Sequence, residues 1–324
     1  MTSRFVKPMN AILSGYSFLA GSLTGKPLIA GMPFSISAEL TNHCNLNCPE
    51  CASGSDRMKR KRGFMDIELY KKVIFELNPY LYYINLYFQG EPMMHPQFFS
   101  FPGLTRNIST VVSTNGHFLT VENSEKLAVS GLKKLIVSLD GMNQKIYLEY
   151  RQNGDFEKVM AGMRNVEAAI VKHNSSLKLE LQYLVNKQNE HQIPEAYRFA
   201  REVRAVLKLK SMQIINTQDI EKWMPASRKF RRYKRADGKY IIKSSFPNRC
   251  LRLYNNPVIT WDGKVIPCCF DKDAEFIMGD LNKESFRSIW NGPIYARFRK
   301  QVLTGRDKIH ICRNCTSGLR GVRC

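Results

Sequence analysis

The amino-acid sequence predicts an α/β fold: a parallel sheet curled into a partial (β/α)6 barrel, followed by a small C-terminal α+β module. Three observations lead there. Between about residues 34 and 216, short apolar segments alternate with longer segments of helical periodicity. Polar turn motifs stand at the ends of successive apolar segments. Near residue 217 the composition turns basic, and six of the nine cysteines lie beyond that point.

The chain has 324 residues, 44% hydrophobic and 24% charged, which excludes a disordered or fibrous chain and allows one large domain or two modest ones. No run of about 18 apolar residues occurs, so no transmembrane helix is expected. Lys and Arg number 49 against 28 Asp and Glu, a formal net charge of +21. That field attracts anions: nucleic acid, phosphorylated metabolites or the acidic face of a membrane.

Residues 1–33 read as an N-terminal extension. Arg4 and Lys7 precede a modestly apolar stretch over 9–21 that superficially resembles a signal peptide, but Asn10, Ser14, Gly15 and Ser17 interrupt it. Phe5, Met9, Ile12, Leu13, Tyr16 and Leu19 fall at helical spacing instead. Two readings stand: a helix capping the bottom of the domain, or an interfacial helix laid on an anionic bilayer, which would make the protein peripheral at a membrane surface.

The barrel is expected over 34–216, with strands at 35–40, 82–88, 109–113, 134–138, 178–185 and 211–215. Helices are expected at 66–77, 121–129, 156–173 and 191–207, with a shorter segment after Pro96. Six β-then-α units imply right-handed crossovers, and such sheets gather their chemistry at the carboxyl ends of the strands. Thr41-Asn42-His43-Cys44, Gln89-Gly90-Glu91-Pro92, Ser113-Thr114-Asn115-Gly116 and Ser138-Leu139-Asp140-Gly141 follow the first four strands, and Asn186 and Asn189 follow the fifth. Each alone is an ordinary turn signal. Their coincidence at one mouth points to a site.

Cys44, Cys48 and Cys51 form C-x3-C-x2-C. Three thiolates so spaced can wrap one corner of a cubic [4Fe–4S] cluster and leave one iron open, whereas an electron carrier or a structural zinc site ordinarily takes four ligands. Zinc or a free-thiol loop is the plain alternative.

On these residues the sequence resembles the radical S-adenosylmethionine (SAM) enzymes, through the cysteine loop, Gly90-Glu91-Pro92, Ser113-Thr114-Asn115-Gly116 and Ser138-Leu139-Asp140-Gly141 over roughly 34–216. The resemblance implies a TIM-like partial barrel in which the open iron chelates SAM. Electron transfer then cleaves SAM to methionine and a 5′-deoxyadenosyl radical that abstracts hydrogen. It further implies that Cys44, Cys48 and Cys51 hold the catalytic cluster. Gln89, Gly90 and Glu91 would meet the SAM amino group, and Asn115, Ser138 and Arg151 its ribose or carboxylate. An external electron donor such as flavodoxin or ferredoxin is implied as well. Glu50 departs from the family, which usually has an aromatic or apolar residue before the third cysteine; a weaker packing contact to adenine is the expected consequence.

The basic linker over 217–248 holds Lys222, Arg228, Lys229, Arg231, Arg232, Lys234 and Arg235 with Trp223, Phe230 and Tyr233 among them. The module over 249–324 then carries Cys250, Cys268, Cys269, Cys312, Cys315 and Cys324. Its Asp262-Gly263 turn between apolar runs predicts a β-hairpin, and Phe286, Ile289 and Trp290 a short helix. This module resembles the SPASM/Twitch extension in its single-cluster form. The resemblance implies that Cys250, Cys268, Cys312 and Cys315 ligate one auxiliary [4Fe–4S] cluster acting as electron acceptor or conduit. A zinc ribbon is the alternative. Cys269 and Cys324 are left over: packed beside the cluster, replacing a ligand, or donating a hydrogen atom.

Arg57, Lys59, Arg60, Lys61 and Arg62 follow the first cysteine loop. They read as a solvated face, or as a field that draws an anionic small-molecule or lipid-linked substrate. The linker aromatics could stack on bases, but nucleic acid is the weaker reading. The reaction expected is a two-electron oxidation; epimerisation or crosslinking of a ribosomally made peptide is the alternative. Nothing selects the substrate base among Glu180, Asp271, Asn186 and Asn189. Two non-enzymatic readings remain, an iron–sulfur electron carrier or redox sensor and a zinc-containing nucleic-acid binder. Clustered thiols place the protein in a reducing cytoplasm.

Overall fold

Val, Ile and Leu crowd the segments that pair as strands, and the segments between them take helical spacing. A computed structural model describes residues 5–55, 57–105 and 107–319; Arg4 and Cys324, both weighed above, lie outside these. In chain order the strands are β1 Ser35–Ala38, β2 Tyr83–Asn85, β3 Ser109–Thr114, β4 Lys134–Ser138, β5 Lys178–Val185, β6 Val206–Ser211, β7 Tyr233–Ala236, β8 Lys239–Ile242, β9 Val258–Ile259, β10 Lys264–Ile266 and β11 Gly279–Asp280. The longer helices are α1 Val6–Thr24, α2 Ile67–Leu77, α3 Val121–Val129, α4 Gln144–Tyr150, α5 Phe156–Lys172, α6 Ile193–Glu202, α7 Phe286–Asn291 and α8 Pro293–Gly305.

The chain divides into two compact units. One takes the described residues of 1–43, 58–110 and 246–317, the other those of 44–57, 111–245 and the chain from 318. In the first unit β1 pairs in parallel with β2 (Ser35 opposite Tyr83) and with β9 (Ser37 opposite Val258). β10 runs antiparallel to β9 and β11 to β10. The predicted hairpin turns at Gly263, whose φ of +84° suits glycine. In the second unit β3, β4, β5 and β6 pair in parallel, in that order.

Helix starts follow capping chemistry. Asp66 accepts from the Glu68 and Leu69 amides ahead of α2, Thr120 from Asn123 ahead of α3, Asn143 from Ile146 ahead of α4, and Asp155 from Lys158 ahead of α5. The short α4 has no counterpart among the expected elements.

Two expectations are corrected in the second unit. The helix foreseen over 191–207 ends at Glu202, because Arg204 turns left-handed (φ +50°) and the Ala205 amide closes back on the Ala200 carbonyl. The sixth strand then forms over Val206–Ser211 instead of 211–215, with Val185 opposite Ser211. Met212 and Ile214 are buried outside any strand. The Ile214 amide and carbonyl both bond the Tyr233 hydroxyl, so side chains take the place of a strand partner.

The basic linker is ordered. β7 and β8 pair through the Asp237-Gly238 turn, both residues with positive φ (48° and 73°), the pattern of a two-residue hairpin. Trp223, Phe230 and Tyr233 are buried, and Trp223 packs edge-on against Tyr150 at 5.7 Å. These aromatics are core and offer no face for stacking.

The N-terminal helix packs by the face its apolar spacing does not favour. Asn10, Ser14, Ser17 and Gly21 are buried, while Phe5, Met9, Ile12, Tyr16, Leu19 and Leu23 are exposed. Asn10 accepts from the Met32 amide and donates to its carbonyl, Ser14 donates to the same carbonyl, and Ser17 accepts from the Ala30 amide. A residue larger than glycine at position 21 would put Cβ 2.6 Å from the Tyr254 hydroxyl.

The basic run after the cysteine loop is partly structural. Arg60 donates to both oxygens of fully buried Glu39, at 2.8 and 2.7 Å, and Arg62 donates to the Asn42 carbonyl at 2.9 Å. Arg57 lies 4.0 Å from Glu50 in the second unit, while Lys59 and Lys61 are exposed. Burial pushes the Glu39 carboxyl up and Arg60 opposes it. Replacing Arg60 by Met leaves a buried carboxylate without its cation, so unfolding by denaturant should show a loss of about 3–5 kcal/mol, largely recovered in Glu39→Gln/Arg60→Met.

Two buried histidines are held neutral. His95 Nδ1 accepts from the Gln97 amide at 3.0 Å, leaving Nε2–H for the Met65 carbonyl at 2.9 Å. His117 Nε2 accepts from the Asp155 amide at 2.8 Å, leaving Nδ1–H for the Asn115 side-chain oxygen at 3.0 Å. Burial pushes both below their ordinary 6.5, with the accepting oxygens opposing it. The unfolded imidazoles therefore take protons that the folded ones refuse. Stability should be level above about pH 7 and decline below about pH 6.5, more shallowly in His117→Gln, when urea midpoints are measured along a pH series. A midpoint that rises on acidification would refute the assignment.

Candidate functional site

Within the second unit, the loop carrying Cys44, Cys48 and Cys51 folds as tight turns. The Cys51 amide donates to the Cys48 carbonyl, and the Ser55 amide and hydroxyl both donate to the Cys51 carbonyl. A side chain at Gly54 would reach to 2.6 Å from the Cys48 amide nitrogen, so only glycine lets this loop close on itself. The Asn47 amide donates to the Gln152 carbonyl at 3.0 Å, fixing the loop to the end of α4.

The carboxyl ends of β3 and β4 supply the polar surround. Asn115, just past β3, donates to the Asn45 side-chain oxygen at 2.8 Å and faces the Cys44 sulfur at 3.9 Å. Arg151, just past α4, donates from Nε to Asp140 at 2.7 Å while Nη1 faces the Cys48 sulfur at 3.8 Å. Asp140 also accepts from the Leu184 amide at 2.7 Å, and Ser138 is buried at the end of β4. Cys48 is buried, which pushes its thiol up to about 12; Arg151 works against that, while Cys51 and Cys44 add to it. The three cysteines thus share one short loop, two of them facing donors from Asn115 and Arg151.

Glu50 is bound to backbone outside the cysteine loop. One carboxylate oxygen accepts from the Ile215 amide at 2.5 Å and the Asn216 amide at 3.2 Å, anchoring the loop to the segment after β6. Its polar character serves that anchor, which accounts for the departure from an apolar residue.

In the first unit, Gly90 has φ +74°, and a Cβ there would meet the His43 carbonyl at 2.6 Å. The Glu91 amide donates to the same carbonyl at 2.7 Å, and the Glu91 carboxylate accepts from the Met93 amide at 3.1 Å. Gln89 is buried and its amide lies 3.4 Å from the Phe88 carbonyl.

Cys250, Cys268, Cys269, Cys312 and Cys315 all lie in the first unit. Burial pushes Cys250, Cys268, Cys269 and Cys312 up, Cys312 to about 11, and these four are further raised by one another or by Cys315. Arg252 donates to the Cys269 sulfur at 3.1 Å, and the Ser317 amide to Cys315 at 3.3 Å. Fully buried Arg306 bonds the carbonyls of Pro247, Arg249 and Ser317 and also supports Cys312. Neither arginine carries a sequence signal, and neither was singled out from the sequence.

The side chains weighed as substrate base are engaged elsewhere. Asp271 accepts from the Glu275 and Phe276 amides, Glu180 pairs with Lys134 at 3.4 Å, and Asn189 holds the Asn186 amide and the Asp140 carbonyl. Among the described residues no three His, Cys, Asp or Glu converge on a single ion. An all-thiolate donor set suits iron–sulfur clusters, whose cysteines sit on separate irons. Sulfur-directed donors from Asn115, Arg151, Arg252 and Ser317 fit that set.

Comparison with known proteins bears on both cysteine groups. Residues 38–200, half of the chain, match the model of the radical SAM superfamily, and 250–316 match the SPASM iron–sulfur cluster-binding domain. An AdoMet-dependent heme synthase of Methanosarcina barkeri is 31% identical over 54% of this chain, which spans about half (49%) of that protein. The S-adenosyl-L-methionine-dependent 2-deoxy-scyllo-inosamine dehydrogenase of Niallia circulans is 22% identical over 87% of this chain and 92% of its own. The PqqA peptide cyclase of Gluconobacter oxydans is 26% identical over 90% and 86%. The crystal structure of BtrN in complex with AdoMet and 2-DOIA shares the fold, with TM-score 0.56, 20% identity, and coverage of 89% of this chain and 95% of that one. Among the described residues no helix is long and apolar enough to cross a membrane. The fold is thus the α/β partial barrel, and the chain belongs to the radical SAM superfamily with a C-terminal SPASM domain, an enzyme whose cofactors are SAM and [4Fe–4S] clusters.

Proposed function

We propose that this enzyme removes hydrogen from an anionic substrate, phosphorylated, sugar-like or lipid-linked, in a two-electron oxidation that delivers the second electron to the C-terminal cluster. The feature that supports this reading is the placement of Cys250, Cys268, Cys312 and Cys315 within the matched cluster-binding segment, with the Ser317 amide donating to the Cys315 sulfur at 3.3 Å: four thiolates would complete a cluster's ligation and leave it electron transfer as its role. The matching length of the 2-deoxy-scyllo-inosamine dehydrogenase supports it.

Cys44, Cys48 and Cys51 would hold the catalytic cluster, which when bound supplies the electron that cleaves SAM. Arg151 keeps a fixed orientation through Asp140, and Asn115 through His117 and Asn45, so both present donors without reorganisation. Gln89, Gly90 and Glu91 would take the SAM amino group, with Gly90 holding the backbone in the turn that aims them. Ser138 completes the proposed SAM contacts. An external flavodoxin or ferredoxin would reduce the first cluster. The relationship to the PqqA peptide cyclase favours a second reading, modification of a peptide.

Protein reconstituted without oxygen and given a strong reductant should release 5′-deoxyadenosine from SAM, and Cys44→Ala/Cys48→Ala/Cys51→Ala should release none. Cys312→Ala/Cys315→Ala should retain that cleavage and lose oxidised product. Deuterium at the oxidised carbon should appear in 5′-deoxyadenosine. Label transfer from a peptide, with none from anionic small molecules or lipids, would establish the second reading instead.

A further inference from the structure

The exposed side of α1 has no counterpart in the chemistry above. Phe5, Met9, Ile12, Tyr16, Leu19 and Leu23 lie at steps of four, three, four, three and four residues, so they form one stripe along a helix about 28 Å long. They are well exposed: 72% at Phe5, 66% at Ile12 and 86% at Leu23. Soluble surfaces rarely leave so continuous an apolar row uncovered.

The helix cannot turn this stripe inward without loss. Its opposite face is committed to the first unit through Asn10, Ser14 and Ser17, which bond the Met32 amide and carbonyl and the Ala30 amide. Gly21 admits the Tyr254 hydroxyl where any Cβ would collide. The protein thus covers the small polar face of α1, which an interfacial helix usually leaves to water, and presents the apolar one.

The charged side chains placed against α1 are cations, while Glu76 accepts from the Phe286 and Arg287 amides behind the cavity edge. No Asp or Glu precedes Glu39 in the sequence. Lys7, in the first turn, donates to the Asn107 carbonyl at 3.0 Å, Lys26 lies just past the helix, Lys300 donates to the Gly25 carbonyl at its C-terminal end, and Arg287 lines the cavity beside its N-terminal half. That cavity, about 590 Å3, is walled by Phe5, Met9, Leu13, Ile29 and Tyr80 besides Arg287, an apolar space with a cation at its edge. A second copy of the chain would fit the stripe's spacing but would bring the same basic rim, on a molecule already at +21. An anionic surface with an apolar interior matches both features.

We infer that α1 is a monotopic docking element that seats the enzyme on an anionic phospholipid bilayer, with its stripe among the acyl chains and the basic rim against the headgroups. Apolar contact and charge act together here, the two signals that stable peripheral anchoring requires. This inference concerns the location of the enzyme and is independent of the identity of its substrate.

The test is co-sedimentation of the full, cluster-loaded chain with phosphatidylcholine vesicles, with and without phosphatidylglycerol. Binding should favour the anionic vesicles and weaken with added salt. Met9→Glu/Ile12→Glu/Leu19→Glu, at exposed positions, should lower that binding on the order of a hundredfold while leaving SAM cleavage and the thermal midpoint unchanged. Lys26→Gln should lower binding to anionic vesicles several-fold and leave binding to neutral ones unchanged. Absence of binding to both vesicle types, or equal binding by parent and triple variant, would overturn the inference. So would a solution dimer, seen by sedimentation, that the triple variant dissolves.

Discussion

The buried pair of Arg151 and Asp140 is the interaction on which the second unit's chemistry rests. Asp140 is drawn out of water at the end of β4, where burial alone pushes its carboxyl up, and Arg151 opposes that push. A carboxylate so placed needs several partners to be tolerated. It has them: Arg151 on one oxygen and the Leu184 amide on the other. Asn189 meanwhile ties the Asp140 carbonyl to that of Leu184. The ends of β4 and β5 and the C-terminus of α4 are thereby locked together. The remaining nitrogen of Arg151 reaches Cys48, and the next residue, Gln152, holds the Asn47 amide. The ion pair thus joins Glu50, Gln152 and Asn115 in holding the cysteine loop. Loss of either partner would remove one of these holds even with all three cysteines intact.

Much of this frame was legible in the sequence because turn chemistry is local. Asn and Asp followed by Gly mark strand ends through left-handed backbone and side-chain caps, and these need no distant partner. Gly131 ahead of β4, Asn174 ahead of β5 and Asn153 ahead of α5 take positive φ, and Asp155 caps α5, so these starts coincide with the expected boundaries. The elements that escaped were decided by tertiary partners. Arg204 adopts a left-handed conformation that its residue type does not announce, and it moves the sixth strand by several residues. Glu50 was visible as an anomaly, but its partners, the Ile215 and Asn216 amides, lie 165 and 166 residues away.

Apolar periodicity failed in an instructive way at the N-terminus. Spacing identifies a helix and its two faces, yet it does not say which face the protein covers. In α1 backbone hydrogen-bonding demands in the 30–32 segment, met by Asn10, Ser14 and Ser17, outweighed the burial of six large apolar side chains. The same limit applies to charge. Runs of Lys and Arg read as a surface field, but Arg60 and Arg62 are spent on Glu39 and the Asn42 carbonyl, and the residues between the linker's cations are core aromatics. A net charge counted from composition overstates the field available to steer a ligand.

The two cysteine groups differ in how their surroundings are charged, and the difference bears on the direction of electron flow. At Cys48 the nearby cation is already matched by Asp140, so the pair adds little net charge. At the C-terminal group the bonded partners of Arg252 and Arg306 among the described residues are sulfurs, carbonyls and a hydroxyl, with no carboxylate. Two cations beside buried sulfurs favour the more negative of two oxidation states, and hydrogen bonds to sulfur act in the same direction. A cluster held by Cys250, Cys268, Cys312 and Cys315, as proposed, would therefore be easier to reduce than in an uncharged pocket. That would suit the proposed acceptor role, and it follows from residues lying outside every motif by which the module was first identified.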